Sequence, residues 1–189
     1  MELNLYLAFI IAAAIMVALP GPSVLLTVAH SISFGWQRAI STVAGETMGI
    51  AVQLTVAAIG MTALLNAAAE AFEWLRWTGA GYLVYLGIRQ WQSAGKALKI
   101  NSSSGSRRHL IFQGLVVTTL NPKSLIFIAA FLPQFIDADH PLGLQFAFIV
   151  PTFLVITFSV ASAWAMVAGS VSIFLKKQRA FQSVLRAGD

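Results

Sequence analysis

Cysteine is absent from the 189 residues. Its absence excludes disulfides, thiolate catalysis and cysteine-ligated metal centres. Charge is scarce too: Asp, Glu, Lys and Arg make up 10% of the chain, against about 25% in a soluble domain. The 3 histidines (His30, His109 and His140) are expected at connections between apolar runs, apart from one another, so no metal site is expected. Met1-Glu2-Leu3-Asn4 lacks a basic region, and no cleaved signal peptide is expected there. The net charge of +5 does not suggest nucleic-acid binding, because the basic residues flank apolar spans, where positive charge reports orientation.

What the chain has is apolar length. Hydrophobic residues make up 58% of it, which predicts an all-α membrane protein. Five runs can cross a bilayer of ~30 Å, which takes about 20 helical residues: 5–29, 39–65, 72–91, 110–136 and about 146–169. Pro151 and Gly169 are expected to kink and fray the last, and Lys176-Lys177-Gln178-Arg179 to stop it.

Prolines break two of these runs. Pro20-Gly21-Pro22 cannot continue a regular helix. The pattern predicts a helix to Leu19, a joint, and a short helix N-capped by Ser23; the competing reading is a helix end followed by an apolar loop. Asn121-Pro122-Lys123 lies near the middle of the fourth run. A lysine at mid-depth costs about 2.5–3.5 kcal/mol on insertion scales, and lipid cannot satisfy the carbonyls a proline frees. Small residues mark the second and third runs. Gly45 and Gly49, and Gly79 with Gly81, offer faces for close helix packing, and the same faces would allow a homodimer.

The segment 93–109 is polar, basic and Ser/Gly-rich. It divides one transmembrane domain into halves of about 1–92 and 110–189. Basic residues fall on the first connection (Arg38), on 93–109 and on the tail, and acids on the second (Glu70, Glu73) and fourth (Asp137, Asp139). Positive charge marks the cytoplasmic side, so the N-terminus is expected outside, with 93–109 and the tail inside. Gly21-Pro22-Ser23-Val24-Leu25 aligns with Asn121-Pro122-Lys123-Ser124-Leu125, Pro22 on Pro122. A three-span unit repeated once must insert its second copy inverted, and proline-broken helices at matching positions point to a transporter's central site. Ser183 to Gly188 resembles the opening of the third span at Trp74 to Gly81, so a sixth span is expected and missing at the C-terminus.

These motifs resemble those of the lysine exporter family of bacterial amino-acid efflux transporters, nearer its homoserine/threonine branch. The residues are Pro20-Gly21-Pro22, Gly45 to Gly49, Gly79 with Tyr82-Leu83-Val84-Tyr85-Leu86-Gly87, and Asn121-Pro122-Lys123 followed by Leu132-Pro133-Gln134-Phe135. The resemblance implies export of neutral amino acids or close derivatives across the bacterial inner membrane by proton antiport, without a cofactor. The chain departs at Ser23, where that branch often has Asp or Asn, and in the missing sixth helix. A truncated, non-transporting remnant or partner subunit is the alternative; a membrane-embedded enzyme would have only Glu46 and Lys123 at depth.

A zwitterion needs partners for an ammonium and a carboxylate. Lys123 and the donors at the Ser23 helix start can favour a carboxylate. Glu46 and the carbonyls freed before Pro20 and Pro122 can favour an ammonium. Pro20, Gly21, Pro22, Ser23, Glu46, Asn121, Pro122 and Lys123 are therefore expected to line one cavity, with Glu46, the only acid deep within an apolar run, coupling protons. The competing readings are that Lys123 snorkels to an interface and that Glu46 meets cytoplasmic water.

Overall fold

The computed structural model describes residues 3–65, 105–137 and 139–187, with eight isolated positions from Trp74 to Gln92. Among the described residues there are six α-helices: α1 (Leu3–Ala18), α2 (Pro22–Phe34), α3 (Trp36–Leu65), α4 (Arg107–Thr119), α5 (Pro122–Ile126) and α6 (Leu142–Ala187). A wide π-helical turn (Phe127–Phe131) and a tight 3-10 turn (Leu132–Phe135) follow α5. Most of the expected third span, including Gly79, its acidic connection 66–73 and the linker up to residue 104 lie outside the described residues. Trp74, Trp77, Gly81 and Tyr85, which belong to that span, are helical, and nothing lies within 4 Å of where a Gly81 side chain would stand.

The composition is right about the class. Trp36–Gly60 and Leu142–Phe174 are each long and apolar enough to cross a membrane. The pair α1 and α2, bent by 54°, and the pair α4 and Pro122–Phe135, bent by 46°, are each long and apolar enough for one broken span or a re-entrant loop. The outer surface is apolar as well: Leu3, Leu7, Ile11 and Ile15 recur every four residues along α1, Leu19 follows just past its end, and all are exposed. Such a ridge suits lipid and would be costly in water.

Several boundaries differ from expectation, each for a local reason. Gly21, in extended backbone, stands at the N-cap of α2 with no side-chain cap bond, and Pro22 opens the helix; Ser23 is not the cap. The expected connection 30–38 shrinks to Gly35, whose φ of 84° favours glycine and turns α2 into α3. His30 accordingly lies inside α2 and is 1% exposed. Ser106 caps α4 by accepting from His109 N at 3.4 Å, so that helix begins inside the expected linker. The last helix passes through Pro151, Gly169 and Lys176–Arg179 without ending. Gly169 instead permits close approach: a Cβ there would come within 2.9 Å of Ser31 Oγ and Trp36 Cβ at the α2–α3 corner.

Packing explains where the interior is bulky and where it is thin. Every fourth residue of α6 from Gln145 (Ile149, Phe153, Thr157, Ala161, Ala165, Gly169) is buried. This ridge shrinks along the helix. Its bulky end joins Phe9, Phe127 and Leu132 in an apolar core. Phe9 meets Phe135 edge-on at 5.7 Å between ring centroids, and Phe153 lies 6.1 Å from Phe9 and 6.0 Å from Phe127. Lipid gives such residues little hydrophobic reason to associate, so close contact holds them, with about 0.5–1.5 kcal/mol per aromatic pair. The thin end packs Ala161 and Ala165 on Ala39 and Val43. Helices α3 and α4 touch backbone to backbone. A side chain at Gly45 would overlap Ile111 O, one at Gly114 would overlap Thr42 O, and one at Gly49 would stand 2.8 Å from Thr118 Cβ.

Candidate functional site

Each proline bend leaves carbonyls without their helical donors. Pro20 and Pro22 lack the N–H groups that would bond Met16 and Ala18. Distant side chains supply the missing donors. Lys123 Nζ donates to Met16 O at 2.8 Å and to Leu19 O at 2.6 Å, and Trp164 Nε1 donates to Ala18 O at 3.3 Å. Lys123 thus sits at the C-terminus of α1, where the helix dipole favours a cation. Gly21 makes room for it: a Cβ there would stand 3.2 Å from Lys123 Nζ.

The second bend is built the same way. Pro122 frees Thr118 O, and Gln53 Nε2 of α3 donates to Thr118 O at 2.8 Å and Thr119 O at 3.1 Å. Asn121 caps α5 by accepting from Lys123 N at 3.0 Å. Its Nδ2 then reaches the other bend, donating to Ser23 Oγ at 2.9 Å, and Thr118 Oγ1 donates to the same oxygen at 3.1 Å. Ser23 is therefore where the two broken helices meet.

Glu46 enters from α3 and is 2% exposed. Its Oε1 accepts from Thr27 Oγ1 of α2 at 2.7 Å. One turn away, His30 Nδ1 and Thr42 Oγ1 share a hydrogen bond of 2.7 Å between the same two helices. Glu46 and Lys123 act on each other electrostatically. Both line a cavity of ≈ 40 Å³ together with Gly21, Ser23, Thr118, Asn121, Ser124, Thr157 and apolar residues of α1, α2, α3 and α6. Ligand pockets run to about 300–1,000 Å³, so the space between these residues holds little more than water.

Five of the eight residues expected at the site line the cavity: Gly21, Ser23, Glu46, Asn121 and Lys123. Pro20, Pro22 and Pro122 do not line it; they set the bends that surround it. The Lys123 ammonium lies on the opposite bend. Sequence reasoning gave no role to Thr27, Gln53, Thr118, Thr157 or Trp164. The available signal was a polar side chain inside an apolar run, without anything to name its partner.

Across residues 14–187 the chain matches the family model described as LysE type translocator. The chain belongs to this family. The translocator is 29% identical over 188 residues to the homoserine/homoserine lactone efflux protein of Salmonella typhimurium, covering 99% of this chain and 91% of that protein. The protein of the same name in Salmonella typhi gives the same identity and coverage. An uncharacterized membrane protein of Vibrio cholerae is 31% identical over 143 residues, 74% of this chain and 70% of that one. No solved structure matches the chain. Membership makes the polar cavity part of a translocator and not the active site of an enzyme.

Outside the spans, the turn before α6 is organised by Asp137. The backbone N–H of Asp139, at 3.0 Å from Oδ1, and then His140 beside it hold the Asp137 carboxyl below its ordinary value. Gln145 ties this turn to α6 by accepting from Asp137 N and donating to Asp137 O and His140 O.

Proposed function

We propose that this translocator exports a neutral amino acid or close derivative of homoserine type from the cytoplasm, in exchange for protons, by alternating access around the cavity between the two proline bends. Relatives over nearly the whole chain are named as efflux proteins for homoserine and its lactone. The observation that carries the reading is the shared cavity of Glu46 and Lys123, one acid and one base, each with bonding capacity left over. An ammonium has three N–H donors; two of Lys123's meet carbonyls, and the third is available for a carboxylate or ester oxygen of the cargo. Glu46 Oε1 accepts from Thr27, and Oε2 is available for the cargo's ammonium or for a proton.

Exchange follows from that sharing. Cargo ammonium and proton compete for one carboxylate, so releasing one admits the other. In this reading the halves 1–92 and 110–189 form an inverted pair, as their matching bends suggest. The loop 93–109 and the tail face the cytoplasm of a bacterial inner membrane, and the N-terminus faces out. The small-residue seam of Ala39, Val43, Ala161 and Ala165 is the natural place for helices to part, since little side-chain volume interlocks there.

The test is efflux of labelled homoserine from proteoliposomes with and without an imposed pH gradient. The parental chain is expected to respond to the gradient at least tenfold. Glu46→Gln should abolish that response, and Lys123→Ala should abolish transport altogether with normal insertion. A Glu46→Gln protein that follows the gradient like the parent would overturn the proton role.

A further inference from the structure

We infer that Thr157 is the residue that reads the cargo's side chain, selecting one that carries a hydrogen-bonding group over an apolar one of the same length. The inference rests on the export reading above and adds the contact that decides which amino acid fits.

Thr157 lies on α6, is 5% exposed, and lines the central cavity. Its Oγ1 is buried without a hydrogen-bond partner. That is unusual for a helical threonine, which readily bonds back to the carbonyl one turn earlier. Other threonines of this chain do so: Thr47 to Val43 O at 2.9 Å, Thr55 to Ala51 O at 2.8 Å, and Thr78 to Trp74 O. Thr157 makes no such bond to Phe153, although the acceptor is in the same helix. An unpartnered buried hydroxyl is destabilising, and such local violations gather where a site serves a ligand. His30 Nε2, Gln53 Oε1, Thr119 Oγ1 and Ser162 Oγ are also unpartnered, but of the five residues only Thr157 lines the cavity.

Geometry assigns the role. The charged groups that would hold the ammonium and carboxylate come from α3 and α5, Glu46 and Lys123. The α6 wall carries no titratable side chain from Gln145 to Leu175 and contributes Thr157 and Ala161 to the cavity. Cargo held by its charged end on α3 and α5 therefore turns its side chain toward α6. Thr157 Oγ1 can donate to or accept from a hydroxyl or carbonyl there, and Ala161 leaves space beside it. A site built to bond a polar group discriminates strongly against the analogue lacking it, because its own polar atom is then left unpaired.

The test uses the full chain in proteoliposomes and compares counterflow of homoserine with that of 2-aminobutyrate, which has the same carbon chain without the hydroxyl. The parent should prefer homoserine. Thr157→Val should lower the homoserine-to-aminobutyrate ratio at least tenfold, mainly through the KM for homoserine, and Thr157→Ser should restore it. The Tm of the cargo-free protein separates this role from a structural one. Valine removes a hydroxyl that has no partner to lose, so Tm should hold or rise. An unchanged ratio overturns the inference, as does a lowered Tm with both cargoes impaired equally. If the parent moves neither compound, the export reading fails first and the inference falls with it; if it moves both equally well, only the inference fails.

Discussion

Lys123, Trp164 and Gln53 supply donors that prolines removed elsewhere in the chain. Lys123 and Trp164 serve carbonyls before Pro20 and Pro22, and Gln53 serves those before Pro122. In lipid such a carbonyl has no water to turn to, so each donor is structural before it is functional. Replacing Gln53 by Met, similar in length and apolar, strands Thr119 O; Thr118 O keeps Asn121 N at 3.0 Å. A stranded buried acceptor costs about 1–3 kcal/mol, offset in part by removal of the unpartnered Gln53 Oε1, so thermal unfolding in detergent should show a lowered Tm; a Tm that holds or rises would mean that the amide's donation does not outweigh its own stranded oxygen. The sequence shows that Lys123 is at depth and that Pro20 frees carbonyls at depth. It does not show that the one serves the other, because contact between residues so far apart in the chain is set by how the helices pack. The same gap explains Ser23. Its position after Pro-Gly-Pro suggests a cap, but Asn121 and Thr118, arriving from the other half, use its oxygen instead.

At the scale of elements, the broken spans were readable because proline acts locally, through its own missing donor. The length of α6 was not. Pro151 and Gly169 look like interruptions in the sequence, yet Gly169 serves a corner made by Ser31 and Trp36, which only the fold brings near. Glycine roles can be separated by experiment. Gly45→Ala and Gly114→Ala place a methyl against the backbone of the facing helix, where neither partner can move alone. Overpacking of that kind costs about 1–3 kcal/mol and occasionally more. Gly60→Ala and Gly143→Ala meet nothing within 4 Å, and alanine is the better helix former by up to about 1 kcal/mol. The first pair should lose folded protein on size exclusion, and the second pair should keep or gain stability. Equal behaviour of the two pairs would contradict the close α3–α4 contact.

At the scale of the whole molecule, the bundle places polarity between a bulky end and a thin one. Phe9, Phe127, Phe135 and Phe153 interlock on one side of the cavity, and alanines and a valine meet on the other. In the proposed export cycle the cavity, with space of ≈ 40 Å³, widens before cargo enters, and the thin side is where helices part with the least loss of contact. In that proposed cycle, Glu46 and Lys123 are what the entering molecule meets. Counterflow of labelled homoserine in proteoliposomes, competed by homoserine, by its N-acetyl derivative and by 3-aminopropanol, tests that meeting most directly. The N-acetyl compound lacks the ammonium intended for Glu46, and the amino alcohol lacks every oxygen intended for Lys123. Each should compete at least tenfold more weakly than homoserine. Equal competition by all three would show that the paired charges do not recognise the cargo.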